Sequence, residues 1–273
     1  MIKLKKIIIG LISVSFAVFC ASYFISMRLL AVRKENLSIK KHEFSGKSIK
    51  ILHISDVHSK DKDNKLFIWD KIKKLSFDIV VITGDFIADK HTEILPHLPF
   101  FRELTKNTPV FYVFGNHEIC EEAEVGEAFK SAGVIVLKDE NIYLNISGVR
   151  LNIIGISDYY SIKQNDLENI FDILKNIDPN EFNIMLSHQP QIFKNILSYD
   201  VDLILAGHTH GGQVRFPLLP ALYAPGQGVL PKYGDGWYHE NGSNLYISKG
   251  IGSTVFPIRL FNRPEITIVE VKF

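Results

Sequence analysis

Six short apolar runs, each ending in polar residues, set the strongest limit on what this chain can fold into. They read IKILHISD (Ile49–Asp56), FDIVVITGD (Phe77–Asp85), PVFYVFGNH (Pro109–His117), VRLNIIGISD (Val149–Asp158), FNIMLSH (Phe182–His188) and VDLILAGH (Val201–His208). Each holds about four to seven β-rich residues, the length of a buried strand rather than of a helix. Helical patterns fall between several of them, over Lys65–Leu75, Glu121–Ala132, Leu167–Ile177 and Pro190–Tyr199, and NLYISKG and EITIVEV supply two strands near the end. Strands alternating with helices imply a layered α/β domain. The chain has 273 residues, 46% of them apolar, and this supports one large core over residues 49–273.

The polar residues collect where five of these runs end: Asp56-Val57-His58, Gly84-Asp85, Gly115-Asn116-His117, His188, and Gly207-His208-Thr209-His210. One aspartate after a strand is ordinarily a cap or turn residue. Five such sites at the carboxyl ends of strands are not explained that way, because that rim of an open α/β sheet is where ligands bind. Five of the ten histidines lie there. Carboxylates, a carboxamide and imidazoles together suit a divalent transition metal of borderline hardness. In GHTHGGQ, two imidazoles stand two residues apart and a glycine pair follows, which lets backbone come close to whatever binds there.

Taken in order, DVH, GD, GNH, H and GHTH resemble the five-block signature of the calcineurin-like metallophosphoesterases, with every block present between Asp56 and His210. The resemblance implies a four-layer α/β/β/α sandwich with a dimetal site at the strand ends. It implies that Asp56, His58, Asp85 and His210 hold one metal and that Asp85, Asn116, His188 and His208 hold the other, with Asp85 as the shared bridge. It makes His117 the outer histidine that meets the phosphate and protonates the leaving group. The implied reaction is hydrolysis of a phosphate ester or pyrophosphate by a hydroxide held between the metals, which Mn, Fe or Zn would serve. A catalytically silent scaffold of the same fold would be expected to lack a ligand or the outer histidine, and neither is missing.

The amino terminus reads differently. IIIGLISVSFAVFCASYFISM runs from Ile7 to Met27 without a charge, and at 1.5 Å per residue it spans a ~30 Å hydrocarbon core. A cleaved signal peptide would show a small-residue cleavage site, and none is evident; Phe19 before Cys20 is too bulky for a lipoprotein site. Residues 1–27 are therefore expected as a single-pass anchor in the cell membrane and residues 28–48, largely polar and charged, as a juxtamembrane linker. Lysines and arginines flank both ends of the anchor, so the positive-inside rule does not set its direction. The anchor, GHTHGGQVRFP and the KGIG…PIR…RPE ending resemble the membrane-associated bacterial branch of the family, some of whose members act on UDP-diacylglucosamine. An anchor puts a lipid-linked or nucleotide-linked phosphate within reach of the site.

The remaining signals are weaker. The formal charge is +1, from 31 basic and 30 acidic side chains, which argues against a broad polyanion-binding surface and so against a nuclease. Arg215, and beyond it Lys249, Arg259 and Arg263, are candidates for contact with a substrate phosphate. His53 is expected to be packed, and His42, His91, His97 and His239 to lie on the surface or in linkers. APGQGVLPKYGDGWYHENG, with Tyr233, Trp237 and Tyr238, is expected as a loop that shapes the pocket or covers the sheet.

Overall fold

Strand residues alternate between two apolar surroundings, and this decides the layers. In β2 (Ser48–Ile54), β3 (Ile79–Thr83) and β4 (Val110–Val113), the residues Ile49, Ile51, Ile79, Val81, Phe111 and Val113 face a second sheet. Their neighbours Leu52, Ile54, Val80, Ile82 and Tyr112 face helices. Both faces are covered, so the runs are apolar throughout instead of alternating with polar residues. The computed structural model describes residues 2–59, 64–89, 92–156, 158, 166–216, 219–253 and 258–273.

The first sheet adds β1 (Ala31–Ser38), β5 (Ile135–Val136) and β14 (Glu265–Lys272), in the order β1-β14-β2-β3-β4-β5. The second is built from β6 (Glu140–Ile146), β7 (Val149–Gly155), β8 (Phe182–Leu186), β9 (Leu203–Ala206), β12 (Gly236–Glu240) and β13 (Ser243–Ile247), in the order β12-β13-β9-β8-β7-β6. A short hairpin, β10 (Tyr223–Ala224) with β11 (Gly228–Val229), stands apart from both. Helices α2 (Asn64–Ile72), α3 (Leu98–Thr105) and α4 (Glu122–Ser131) cover the outside of the first sheet through Ile68, Phe101 and Phe129. Helices α5 (Asp166–Lys175) and α6 (Phe193–Ile196) cover the second through Ile170, Leu174 and Phe193. The result is the expected α/β/β/α sandwich. The helix expected over Pro190–Tyr199 is shorter: a 3-10 turn, Pro190–Ile192, leads into the single turn of α6.

Residues 28–48 are not the linker expected from their charge. β1 pairs in parallel with β14 from Ala31↔Glu265 to Ser38↔Lys272, and a 3-10 turn at His42–Phe44 buries Phe44. Val32 and Leu37 pack into the cores while the charged residues between them sit on the sheet edge, where charge is tolerated. Arg33 pairs there with Glu35. The WYHE segment is also a strand rather than a loop. Trp237 of β12 lies against the Tyr246 ring (5.0 Å), and its Nε1 donates to Glu35 Oε2 (2.8 Å), tying the two sheets together.

Helix α1 (Ile2–Arg28) contains a span, Lys5–Ser26, long and apolar enough to cross a membrane, and its large apolar side chains from Ile7 to Ile25 are exposed. Its carboxyl end is clamped to the domain. Ser22 Oγ accepts from Phe261 N (2.8 Å), Ser26 Oγ accepts from Asn262 N (3.3 Å), and Arg263 Nε donates to Leu29 O (2.7 Å).

Candidate metal centre

Strands β2, β3 and β4 run parallel to one another, as do β8 and β9, so each group delivers its polar residues to one rim of the sandwich. Asp56 and His58 follow β2, Asp85 follows β3, and Asn116 and His117 follow β4; His188 follows β8, and His208 and His210 follow β9. The backbone there is strained. Asp56 (φ 49°), His58 (43°), Asp85 (52°), His208 (68°) and His210 (50°) all occupy the left-handed region. Such residues cost on the order of 1–3 kcal/mol each and persist where the surroundings force them, typically at functional sites. Gly207 is needed because a Cβ on it would lie 1.9 Å from Ser55 Oγ. The pair after GHTH serves packing within the protein: a Cβ on Gly211 (φ 60°) would meet Asn262 Oδ1 at 2.7 Å, and one on Gly212 (φ 77°) would meet Ala221 Cβ at 2.7 Å.

Asp85 is central. Its Oδ2 lies 3.3 Å from His188 Nε2, 3.5 Å from His58 Nε2 and 3.9 Å from His117 Nε2, and its Oδ1 accepts from His117 N at 2.9 Å. Asp56 Oδ1 is 3.5 Å from His210 Nε2, and both Asp56 oxygens accept from His208 N at 3.0 Å. His58 Nε2 and His210 Nε2 are 3.3 Å apart, and His188 Nε2 lies 3.1 Å from both His208 Nδ1 and Asn116 Oδ1. Three sets of donor atoms each fit within 4.8 Å: Asp56, His58 and His210; His58, Asp85 and His117; and Asp85, His188 and His208.

Burial drives His58 down to about 4, His208 to about 3, and His210 well below the ordinary imidazole value, so these rings are neutral, as a metal requires. Burial pushes Asp56 up to about 6, with help from Asp85. Burial acts on Asp85 in the same direction, but His188, His58 and His117 outweigh it and hold its carboxyl well below the usual range. The neutral His58 Nε2 and His210 Nε2 face each other at hydrogen-bond distance, and His208 Nε2 is buried with no hydrogen-bond partner among the described residues. Burial also acts to lower His188, but the Asp85 and Asp56 carboxylates outweigh it and raise this ring well above its ordinary value. Two buried carboxylates complete the set, and together these residues fit divalent ions of borderline hardness. His117 differs: its Nδ1 donates to Ala88 O, and its side chain is 25% exposed where those of His58, His188 and His210 are at most 2%.

The basic candidates are engaged within the protein, and Arg259 among them reaches the centre. Arg215 pairs with Asp235, and Lys249 Nζ lies 3.6 Å from the same carboxylate. Arg259 is buried, donates from Nη2 to Lys249 O (2.7 Å), and rests 3.2 Å from His210 Nδ1. His53 is packed between the sheets as expected, with Nε2 2.8 Å from Thr83 Oγ1. His97, expected on the surface, is buried with its ring 5.5 Å from that of Phe86, because the turn that carries it feeds directly into the core-facing α3. His42 and His239 are exposed, and His91 lies outside the described residues.

Two residues that hold the site together went unread in the sequence. Glu118, fully buried, accepts from the backbone N–H groups of Asp85 (3.0 Å), Phe86 (2.6 Å), Ile87 (3.2 Å) and Gly115 (2.8 Å), joining the β3 loop to the β4 loop. Its position directly after GNH was the available signal. Asn262 Nδ2 donates to His210 O (2.6 Å) and Gln213 O (3.1 Å), and nothing local marks it.

A two-sheet sandwich with carboxylates and imidazoles from both sheets meeting at one rim is the architecture of a metal-dependent phosphoesterase. The family model for calcineurin-like phosphoesterase matches residues 49–212, and the chain belongs to that family. It is 29% identical over 232 residues to the uncharacterized metallophosphoesterase YkoQ of Bacillus subtilis, covering 82% of this chain and 84% of that one. It is 30% identical over 265 residues to an uncharacterized metallophosphoesterase of Aquifex aeolicus (92% and 93%) and 28% identical over 233 residues to phosphodiesterase YaeI of Escherichia coli (81% and 82%).

Proposed function

We propose that this phosphoesterase is anchored in the cell membrane by α1, uses a pair of divalent ions, and hydrolyses a phosphate ester or pyrophosphate presented at the membrane surface. The observation that carries the reading is the position of Asp85, whose one carboxylate faces His58 and His188 from opposite halves of the site. Asp56, His58, Asp85 and His210 would hold one ion, and Asp85, Asn116, His188 and His208 the other. When bound, two such ions supply Lewis-acid polarisation of the phosphoryl oxygens and a water acidic enough to attack near neutral pH.

The chain's own residues do the rest. Glu118 and the strained strand ends hold the donors in place before anything binds. The hydrogen bond from His117 Nδ1 to Ala88 O fixes the ring with Nε2 toward Asp85, at the exposed side of the centre. From there Nε2 delivers a proton to the departing oxygen as a positioned general acid. The outward-facing apolar helix and its clamp to Phe261 and Asn262 support anchoring.

Hydrolysis of bis(p-nitrophenyl) phosphate by the full chain in detergent tests the enzyme reading. Chelator should abolish turnover and Mn²⁺ should restore it. Full turnover by chelated, metal-free protein contradicts the metal requirement, and metal binding without turnover of any phosphate ester favours a silent scaffold.

A further inference from the structure

The exposed apolar side chains of the domain are concentrated in one region. Outside α1 and Leu29, eight large apolar residues are exposed among those described, and six of them are Phe216, Leu219, Tyr223, Val229, Leu230 and Phe261. The chain brings these six together. A parallel bridge joins Val214 to Leu260, and Arg215 N donates to Leu260 O (2.9 Å), so Phe216 and Phe261 follow two adjacent, bridged residues. The β10–β11 ladder pairs Tyr223 with Val229, and Leu230 N donates to Leu222 O (2.9 Å). This hairpin rests on the metal-ligand turn, since Gly212 is in close contact with Ala221 and with Tyr223 O. On its other side the region is continuous with α1, through the bond from Phe261 N to Ser22 Oγ and an apolar cleft lined by Val18, Ile25 and Phe261.

Its charge fits one kind of surface. Val214 to Lys232 reads VRFPLLPALYAPGQGVLPK, without an acidic residue and with a basic residue near each end. Apolar patches of this kind on a protein surface mark interaction sites. Arg215 is neutralised by Asp235, so the charge of the stretch comes from Lys232. Aromatic and aliphatic side chains with a lysine at their edge and no acidic residue among them, beside a helix of membrane-spanning length, are the composition of a segment that lies in the bilayer interface.

We propose that Phe216, Leu219, Tyr223, Val229, Leu230 and Phe261 form a second membrane contact beside α1, entering the interfacial layer and turning the metal centre toward the lipid headgroups. This rests on the anchored-enzyme reading above and names its substrate class: a phosphate ester carried on a lipid. Asn262 makes the connection direct. Its backbone N–H donates to Ser26 of the helix, and its side chain donates to the carbonyl of His210. One residue therefore separates the membrane helix from a metal-ligand candidate, and a substrate held among the headgroups arrives beside it.

The test uses the full chain with its two free cysteines, Cys20 and Cys120, replaced. A single cysteine at Val229, labelled with an environment-sensitive fluorophore, is compared with one at Ser147. Ser147 lies in the β6–β7 turn, at the amino end of the parallel strand β7 and so at the rim opposite the metal centre. In vesicles of phosphatidylethanolamine and phosphatidylglycerol, the probe at 229 should shift to the blue and be quenched by spin-labelled acyl chains, and the probe at 147 should do neither. Val229→Asp/Leu230→Asp should cut hydrolysis of a diacylglycerophosphate 4-methylumbelliferyl ester in those vesicles by about tenfold or more. It should leave hydrolysis of soluble bis(p-nitrophenyl) phosphate unchanged. A probe at 229 that behaves like the one at 147 overturns the proposal, and so does an equal loss on both esters. Quenching at 229 in a protein that hydrolyses neither ester supports the membrane contact and instead overturns the enzyme reading.

Discussion

Glu118 is the residue through which the structure makes its most quantitative claim. Its carboxylate is the acceptor for four backbone N–H groups, at 2.6 to 3.2 Å, in the two loops that carry Asp85 and Asn116. Glu118→Ala leaves all four donors buried and unsatisfied. Each orphaned group costs roughly 1–3 kcal/mol, and partial relaxation or water entry brings the sum toward the low end, about 4 kcal/mol. That is a large share of a typical domain's total stability of about 5–15 kcal/mol, and for a domain of this size it lowers the melting temperature by on the order of 10 °C. Glu118→Gln keeps one acceptor oxygen and turns an NH₂ toward two of the donors, so it should fall between Ala and wild type. The assay is thermal unfolding of the full chain in detergent, with metal content measured on the same samples. Because Asp85 N is one of the four donors, both variants should also lose metal. A Glu118→Ala protein that melts within about 2 °C of wild type and keeps its metal would refute the reasoning.

His117→Ala should keep its metal yet slow turnover by about 10²–10⁴-fold, the span for a positioned general acid, with a smaller loss for nitrophenyl esters, whose leaving group departs without a proton; a flat dependence on leaving-group pKa contradicts the assignment. Chelated protein should lose stability as pH falls below 6.5. His53, His58, His208 and His210 are held neutral in the fold while the unfolded chain protonates them, so their stabilisation is present above 6.5 and lost toward about 4 for His58 and about 3 for His53 and His208. Asp56, raised to about 6, and Glu118, raised to about 7, run the other way, as does His188, raised well above its ordinary value. They offset most of the loss from the four imidazoles and leave a net loss on the order of 1 kcal/mol at pH 5.5. Denaturant midpoints that do not change between pH 7.5 and 5.5 would contradict this.

The fold and the rim residues were legible because a strand covered on both faces is apolar along its whole length and its polar end stands out. Asp56, Asp85, Asn116, His188 and His208 could be read that way, as could the alternation with helices. β1 could not, because an edge strand carries charge, and RKEN between Val32 and Leu37 has the composition of a linker. The burial of His97 depends on the direction in which its 3-10 turn enters α3, which no local pattern encodes. Glu118 reads as an ordinary acidic residue until the loops that need its oxygens are placed around it. The left-handed backbone at five of the seven expected ligands left no compositional trace, since four of those five are followed by neither glycine nor proline. Gly211 and Gly212 also give clearance within the protein, to Asn262 and Ala221, which the sequence alone does not show.

Elemental analysis of the purified full chain and of Asp85→Ala tests the central claim most directly. Two divalent ions per wild-type chain, and neither retained once the carboxylate between His58 and His188 is gone, is the result the shared-bridge arrangement predicts. A single ion per wild-type chain, or two ions undiminished in Asp85→Ala, would contradict it.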